Sequence, residues 1–224
     1  IDDWQLAGPR SGGATGSERF VQALLSFPAD DSFMDRIYEI WCIHEIASCL
    51  SNMGATRLDG PLPLTMNRHR PIYTFQIGND CIEIWFQHSL DSSSAVWSYE
   101  ATGRYLRGIP DITIVANGCH FLLVDAKNRL VSGNTRSEET YKMLGYFENF
   151  RPILSESSSW GMLAFVSFNR FFQSLHSTPG RKLVMISADP RSRNDCAFNA
   201  QFTKLFQEWS NVWREGGPQL AING

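Results

Sequence analysis

Three charged residues stand where an apolar segment should have none. From Gly108 to Lys127 the chain reads G-I-P-D-I-T-I-V-A-N-G-C-H-F-L-L-V-D-A-K, two runs rich in Ile, Val, Leu and Phe. Asp111 precedes the first run, and Asp125 and Lys127 end the second. Burying an ionised side chain is costly unless it is paired or binds a metal. Two carboxylates and an ammonium converging beside a buried hairpin therefore suggest a metal site with a positioned lysine. Carboxylate oxygens are hard ligands of the kind Mg²⁺ or Mn²⁺ takes, in a shell that keeps several waters. Such an ion makes a water nucleophilic near neutral pH and clamps charge on a phosphoryl oxygen. Lys127, two residues past Asp125 on a strand, points to the face of Asp125. There it could orient the attacking water, lower its pKa or stabilise phosphate charge. Read alone, the hairpin also fits an Asp that starts one strand and a Lys that ends another, both solvated.

The positioning elements come next. Asn117-Gly118 joins two expected strands, Ile109–Ala116 and Cys119–Ala126, and Asn-Gly between apolar runs is a strong hairpin signal. A two-residue turn would pair Ala116 with Cys119 and send Asp111 to the face opposite Asp125. A three-residue loop, Ala116-Asn117-Gly118 with Gly118 in the left-handed region, pairs Val115 with Cys119 and puts Asp111 opposite Leu123. The metal requirement therefore predicts the odd-length loop, or an equivalent bulge nearer the site. The long helix expected over Phe33–Met53 supplies a third carboxylate. At 100° per residue Cys42, Ile43, Ile46, Ala47, Cys49, Leu50 and Met53 fall within about 80° of Glu39, whereas Glu45 lies about 120° away. Glu39 is thus centred on the stripe that faces the sheet, either satisfied by a backbone group or an Arg, or aimed at the metal.

Around these, residues 1–30 read as a linker with a short helix from Ser17 to Phe27, and residues 55–71 as loop. Strands are expected over Ile72–Ile77 and Cys81–His88, with Glu83 on the side away from Ile82 and Ile84 as an outlying candidate. The run Ser98–Arg107 carries Tyr99, Arg104, Tyr105 and Arg107, and reads either as a phosphate-gripping segment or as a solvated strand edge. Val131–Thr135 reads as loop and Arg136–Phe150 as helix, with Lys142 and Tyr146 neighbours at i,i+4. Gly161–Phe168 and Lys182–Ala188 read as buried strands, Phe171–Leu175 as a connecting helical turn and Ala197–Trp213 as an amphipathic helix. Strand pairs flanked by helices indicate an α/β domain, three α/β/α layers around a central mixed sheet, over residues 31–224.

Pro110-Asp111, thirteen residues, then Asp125-Ala126-Lys127 resembles the signature of the PD-(D/E)xK nuclease superfamily. With Tyr38-Glu39-Ile40-Trp41 before it and Tyr141–Phe147 after it, residues 33 to 150 resemble nuclease subunits of modification-dependent restriction systems. The resemblance implies a restriction-endonuclease-like fold and a Mg²⁺-dependent (or Mn²⁺-dependent) endonuclease hydrolysing DNA phosphodiester bonds, as the effector domain of a bacterial defence or restriction system. It implies Asp111, Asp125, the Ala126 carbonyl and Glu39 as metal ligands and Lys127 as the catalytic lysine. Relatives often carry Gln-x-x-x-Tyr on the later helix; here Lys142-x-x-x-Tyr146 stands in its place, with Lys142 expected on phosphate. Other domains or subunits of a larger protein, and a homo-oligomer, are the expected partners besides DNA. The rival from another class is a catalytically idle nuclease-like domain that binds nucleic acid or a partner protein.

The rest of the composition sets bounds. Hydrophobic content of 43% with 19% charge over 224 residues suits a globular domain with a full core. A net charge of −3 leaves any DNA attraction to a local basic face. Five cysteines without C-x-x-C spacing read as reduced thiols rather than a disulfide or zinc framework. No eighteen-residue apolar run and no signal peptide occurs, so a soluble cytoplasmic protein is expected. A start at Ile1, followed by the Gly- and Ser-rich stretch Gly8–Gly16, suggests an excerpt from a longer protein.

Overall fold

The structure, a computed structural model, describes residues 31–63, 70–90, 94–130, 137–154, 158–166, 172–176, 181–190 and 197–215. The expected linker and helix of residues 1–30 and the loop at 131–135 lie outside the described residues. Helix α1 spans Asp31–Asn52. It stops at Gly54, which takes φ +87° while its N–H and that of Ala55 bond back to Ser51 O and Leu50 O, closing the open carbonyls of the last turn. Strands β1 (Thr56–Asp59), β2 (Tyr73–Ile77), β3 (Asp80–Phe86), β4 (Ile112–Ala116) and β5 (His120–Leu130) follow. Helix α2 (Ser137–Asn149), β6 (Trp160–Val166), β7 (Phe172–His176), β8 (Lys182–Ser187) and α3 (Ala197–Glu215) complete the described elements.

The strands form one mixed sheet in the order β1-β2-β3-β4-β5-β6-β8-β7. It is antiparallel from β1 through β5, parallel across β5, β6 and β8, and antiparallel again at β7. Alternation along the central strands divides the core in two. Ile82, Ile84, Ile112, Ile114, Leu122, Val124, Met162 and Ile186 pack with α1 and α3. Leu123, Leu163, Phe165, Leu183 and Met185 pack with Met143 and Phe147 of α2 and with Phe150 just past its end. The sheet is therefore covered by helices on both faces, and its middle strands are apolar on both. On α1 Ile43, Ile46 and Leu50 are fully buried, each contributing about 1.5–3 kcal/mol. On α3 Phe202, Leu205, Phe206, Trp209 and Trp213 recur at helical spacing into the same core.

Two expected elements are corrected. Residues 56–59, read as loop, form β1, an edge strand whose four side chains are all exposed; with no buried face it carries no apolar alternation to read. Residues 172–176, read as a helical turn, form β7, the opposite edge strand. For five residues, periodicity does not separate a strand from a turn of helix. The hairpin strands also shift: β4 begins at Ile112 rather than Ile109, and β5 runs on to Leu130.

Those altered ends open the sheet. β4 begins with Ile112 opposite Val124, so β5 beyond Val124 has no β4 partner and keeps only β6. After Lys127 the β5–β6 register slips, from Lys127↔Phe165 to Leu130↔Val166, leaving Asn128 and Arg129 as extra residues. Bulges re-aim side chains where regular pairing stops. Here one follows directly on Lys127.

Candidate active site

The hairpin turn decides which side chains meet. Asn117 (φ +52°) and Gly118 (φ +74°) both adopt left-handed backbone, and Cys119 N–H donates to Ala116 O at 3.2 Å. Asn and Gly are the residues that tolerate two such positions in succession. The ladder closes on Ala116↔His120, leaving Asn117, Gly118 and Cys119 as a three-residue loop. The odd-length loop is as expected, but its register is not: Val115 faces Phe121 rather than Cys119. Continued by one residue, this register sets Asp111 beside Asp125 rather than Leu123. Parity is unchanged, so both aspartates share a face with Lys127.

The contacts agree with that placement. Asp111 Oδ2 accepts a hydrogen bond from Ala126 N–H at 2.9 Å. Lys127 Nζ lies 2.7 Å from Asp125 Oδ2 and 3.7 Å from Asp111 Oδ2, spanning the pair. Lys142 Nζ, from α2, donates to Asp125 Oδ1 at 2.7 Å. Tyr146, one turn on, donates its hydroxyl to Ile109 O at 3.1 Å and so pins the segment that delivers Asp111. Gly108 makes this approach possible, because a Cβ there would fall 2.3 Å from the Phe150 ring.

Glu39 arrives from the other face of the sheet, on α1, and is 8% exposed. The missing β4 partner leaves the space through which it approaches. Arg36 Nη1 donates to Glu39 Oε2 at 2.8 Å, and Gln87 Nε2 reaches the same oxygen at 3.4 Å. Gln87 also gives its backbone N–H to Asp111 O at 2.9 Å while holding φ +46°. Sequence reading named neither Arg36 nor Gln87. Arg36 sits at i−3 from Glu39, a spacing that could have found it, whereas nothing local marks Gln87. Glu45 is half-buried and does not line the cleft. Glu83 does lie on the aspartate side, in the row of Val115 and Phe121, but accepts from Trp85 Nε1 at 3.1 Å. That row is four residues from Asp125 along the strand, about 13 Å.

Burial first, then the charge of Asp125, raise the Asp111 carboxyl to about 6 against the pull of Lys127 and Lys142. Burial and Asp111 likewise raise Glu39 to about 7, with Arg36 and Lys127 acting the other way. Burial works to raise Asp125 too, but Lys127 and Lys142 outweigh it and hold the group below its ordinary value. Burial opposes the Lys142 ammonium, and Asp125 more than offsets it, so this lysine is held charged. Carboxylates whose environments push them apart in this way mark sites able to manage both charge and protons.

A cleft of about 710 Å³ opens in front, lined by Glu39, Ala126, Lys127, Arg129, Glu139 and Lys142 among others. The aspartates lie behind the two lysines that contact them. Arg129 pairs with buried Glu139, tying the bulge to the first turn of α2. Lys142, expected on phosphate, is instead bonded to Asp125 and sits 5.7 Å from the Tyr146 ring centroid. Arg104 and Arg107 are exposed on the segment before Gly108; they do not line this cleft.

The donors available to a divalent cation are Asp111, Asp125 and the Ala126 carbonyl, with Glu39 across the opening. All are hard oxygens, and buried Asp125 Oδ2 has the Lys127 ion contact but no hydrogen bond. Among the described residues no three His, Cys, Asp or Glu side chains are gathered closely enough to hold a metal. Magnesium is commonly held by one or two carboxylates plus water and substrate phosphate, so a pair of aspartates suits it. No model of a known protein family matches the chain, and no curated protein matches it.

Proposed function

We propose that the chain is a Mg²⁺- or Mn²⁺-dependent endonuclease that hydrolyses DNA phosphodiester bonds, built as a three-layer restriction-endonuclease-like domain. The observation that carries this reading is the spanning of Asp111 and Asp125 by one ammonium, Lys127, where the sheet opens. When bound, the cation supplies Lewis acidity toward a phosphate oxygen and a water. Asp111, Asp125 and the Ala126 carbonyl would hold it. Lys127, held between the aspartates, would orient the attacking water or balance charge on the phosphate. Glu39, raised toward neutrality, can take or give a proton at working pH. Lys142 balances Asp125 until substrate arrives, and Tyr146 keeps the Asp111 segment in place. On this reading the domain is the effector part of a bacterial defence protein and acts in the cytoplasm with other domains or subunits. No helix among the described residues is long and apolar enough to cross a membrane.

The second reading is a nuclease-like domain that binds nucleic acid or a partner protein without cutting. The bond from Lys142 to Asp125 favours it, because a site already neutralised by lysines has less need of a cation. Incubation with supercoiled plasmid, with Mg²⁺ or with EDTA, separates the two. Nicking by the wild type in Mg²⁺ alone, lost in Lys127→Ala, is the expected result. A wild type that retards the plasmid and never nicks it leaves the second reading.

A further inference from the structure

Residues 94–107 make a small hairpin whose backbone is satisfied and whose large side chains face outward. Ser98 pairs with Tyr105, Leu106 N–H donates to Trp97 O at 2.7 Å, and Tyr99 N–H donates to Arg104 O at 2.8 Å. Asn149, at the end of α2, clamps its base: Asn149 O takes the Val96 N–H at 2.7 Å, and the side chain bonds Trp97 N–H and Leu106 O. On this fixed support Trp97 and Tyr99 are each 59% exposed, Tyr105 47% and Leu106 41%. Trp97 lies opposite Leu106 and Tyr99 opposite Arg104, so Trp97, Tyr99 and Leu106 share one face of the hairpin and form a patch there, while Tyr105 alternates to the other face. Arg104 stands on this face opposite Tyr99, and Arg107 follows on the segment toward Asp111; neither enters an ion pair among the described residues. Arg107 is four residues from Asp111, a span of at most about 14 Å.

We propose that this hairpin is a stacking platform for unpaired bases of the DNA strand whose phosphate reaches Asp111 and Asp125, so that single-stranded or locally opened DNA is the preferred substrate. The proposal rests on the nuclease reading for its position but not for its test. Flat rings fixed by a bonded backbone match the π-faces of unstacked bases, which a closed duplex does not present. Arg104 beside the rings, and Arg107 toward Asp111, match the phosphates that accompany those bases. A partner protein would have to bring an apolar face and carboxylates together here, whereas one DNA strand carries bases and phosphates side by side.

The test is binding of a fluorescein-labelled 20-mer, single-stranded or annealed to its complement, in EDTA so that cleavage plays no part. Trp97→Ala and Tyr99→Ala should each weaken single-strand binding by at least about fivefold. Duplex binding should change less than about twofold, with circular dichroism melts unchanged because both side chains are exposed. Arg104→Ala and Arg107→Ala should weaken both forms and lower the single-strand salt slope by about 0.7 each. Equal losses for single strand and duplex overturn the proposal, as does unchanged binding in the aromatic variants. A wild-type dimer that Trp97→Ala dissociates also overturns it, because the patch is then a protein interface. Stacking without Mg²⁺-dependent nicking keeps the platform and removes the nuclease; nicking with no aromatic effect does the reverse.

Discussion

Strand β5 runs through two environments. From His120 to Val124 it pairs with β4, from Leu122 also with β6, and its apolar residues fill the core on both faces. From Asp125 onward β4 is absent, and Asp125, Lys127 and Arg129 follow at alternate positions. Both halves are strand, and both pair with β6. What differs is the neighbour on one side: where it is missing, charged groups from both faces of the sheet approach one another. The comparison teaches that stopping β4 at Ile112 makes the site, because it opens a polar gap in a sheet that is otherwise closed.

The widest separation between the halves should appear on substitution. Asp125→Asn and Lys127→Ala should each reduce Mg²⁺-dependent plasmid nicking by roughly a thousandfold or more, since an ion site supplies several kcal/mol of transition-state stabilisation. Both proteins should still melt cooperatively. Leu123→Ala, two residues before Asp125 on the same face, should instead cost about 2–5 kcal/mol of stability. Its nicking rate should persist at temperatures where it stays folded. Nicking at wild-type rate in both site variants would sink the catalytic assignment, and a Leu123 variant that is stable but inactive would erase the distinction between the halves.

What the sequence disclosed follows the same division. The apolar half of the hairpin, the α1 stripe and the α3 aromatics were legible because burial imposes a period on residue type. Asp111, Asp125 and Lys127 were legible because they break that pattern. The parity of the hairpin came from requiring two aspartates on one face, but its register did not, since strands apolar on both faces pack equally well after a slip of two. The edge strands β1 and β7 left little trace for the opposite reason: an edge strand with exposed side chains has no pattern to break. Gln87 was missed because its role depends on where the chain returns, whereas Arg36, at i−3 from Glu39, carried a local signal that was not used.

The carboxylate across the gap gives the next test. Glu39→Gln should lower nicking by about ten- to a hundredfold, the range seen when groups supporting a metal site are lost. Glu45→Gln, on the same helix but away from the cleft, should stay within about twofold. The reverse ranking, read from the same plasmid assay, would mean that α1 presents a different face to the site when it works.

The carboxylates gathered around the second half should also give it a response to pH of its own. Asp111 and Glu39 are raised to about 6 and about 7, so their contribution to stability is present below the ordinary carboxylate values. It is lost as pH rises through the folded values. Asp125, held low, acts in the opposite sense and loses its contribution only in acid. In EDTA the melting temperature should therefore fall between about pH 4 and pH 7. Glu39→Gln should flatten the upper part of that fall. Mg²⁺ should raise the melting temperature more at pH 8 than at pH 5, because protons compete for the same oxygens. A Mg²⁺ effect independent of pH would place the ion elsewhere.

The smallest expected effect belongs to Gln87, which lies on the side where β4 is missing and touches both halves of the acid set. Its left-handed backbone costs about 1–2 kcal/mol for a residue with a Cβ. Glycine would relieve that strain but lose about 0.5–1 kcal/mol to the freedom of the unfolded chain, so Gln87→Gly should melt at or slightly above the wild-type temperature. Gln87→Ala keeps the strain and also removes the amide. Both variants retain the backbone N–H that reaches Asp111 O and lose only the contact to Glu39. At 3.4 Å that contact is long for a hydrogen bond, so the two variants should lose no more than about tenfold in nicking. The losses should be equal, with the same rise in the Mg²⁺ concentration for half-maximal rate. Equal losses with unequal melting temperatures identify the amide as the positioning group for Glu39. Loss in glycine alone would shift the role to the strained backbone, with rigidity at Asp111 as what the strain maintains.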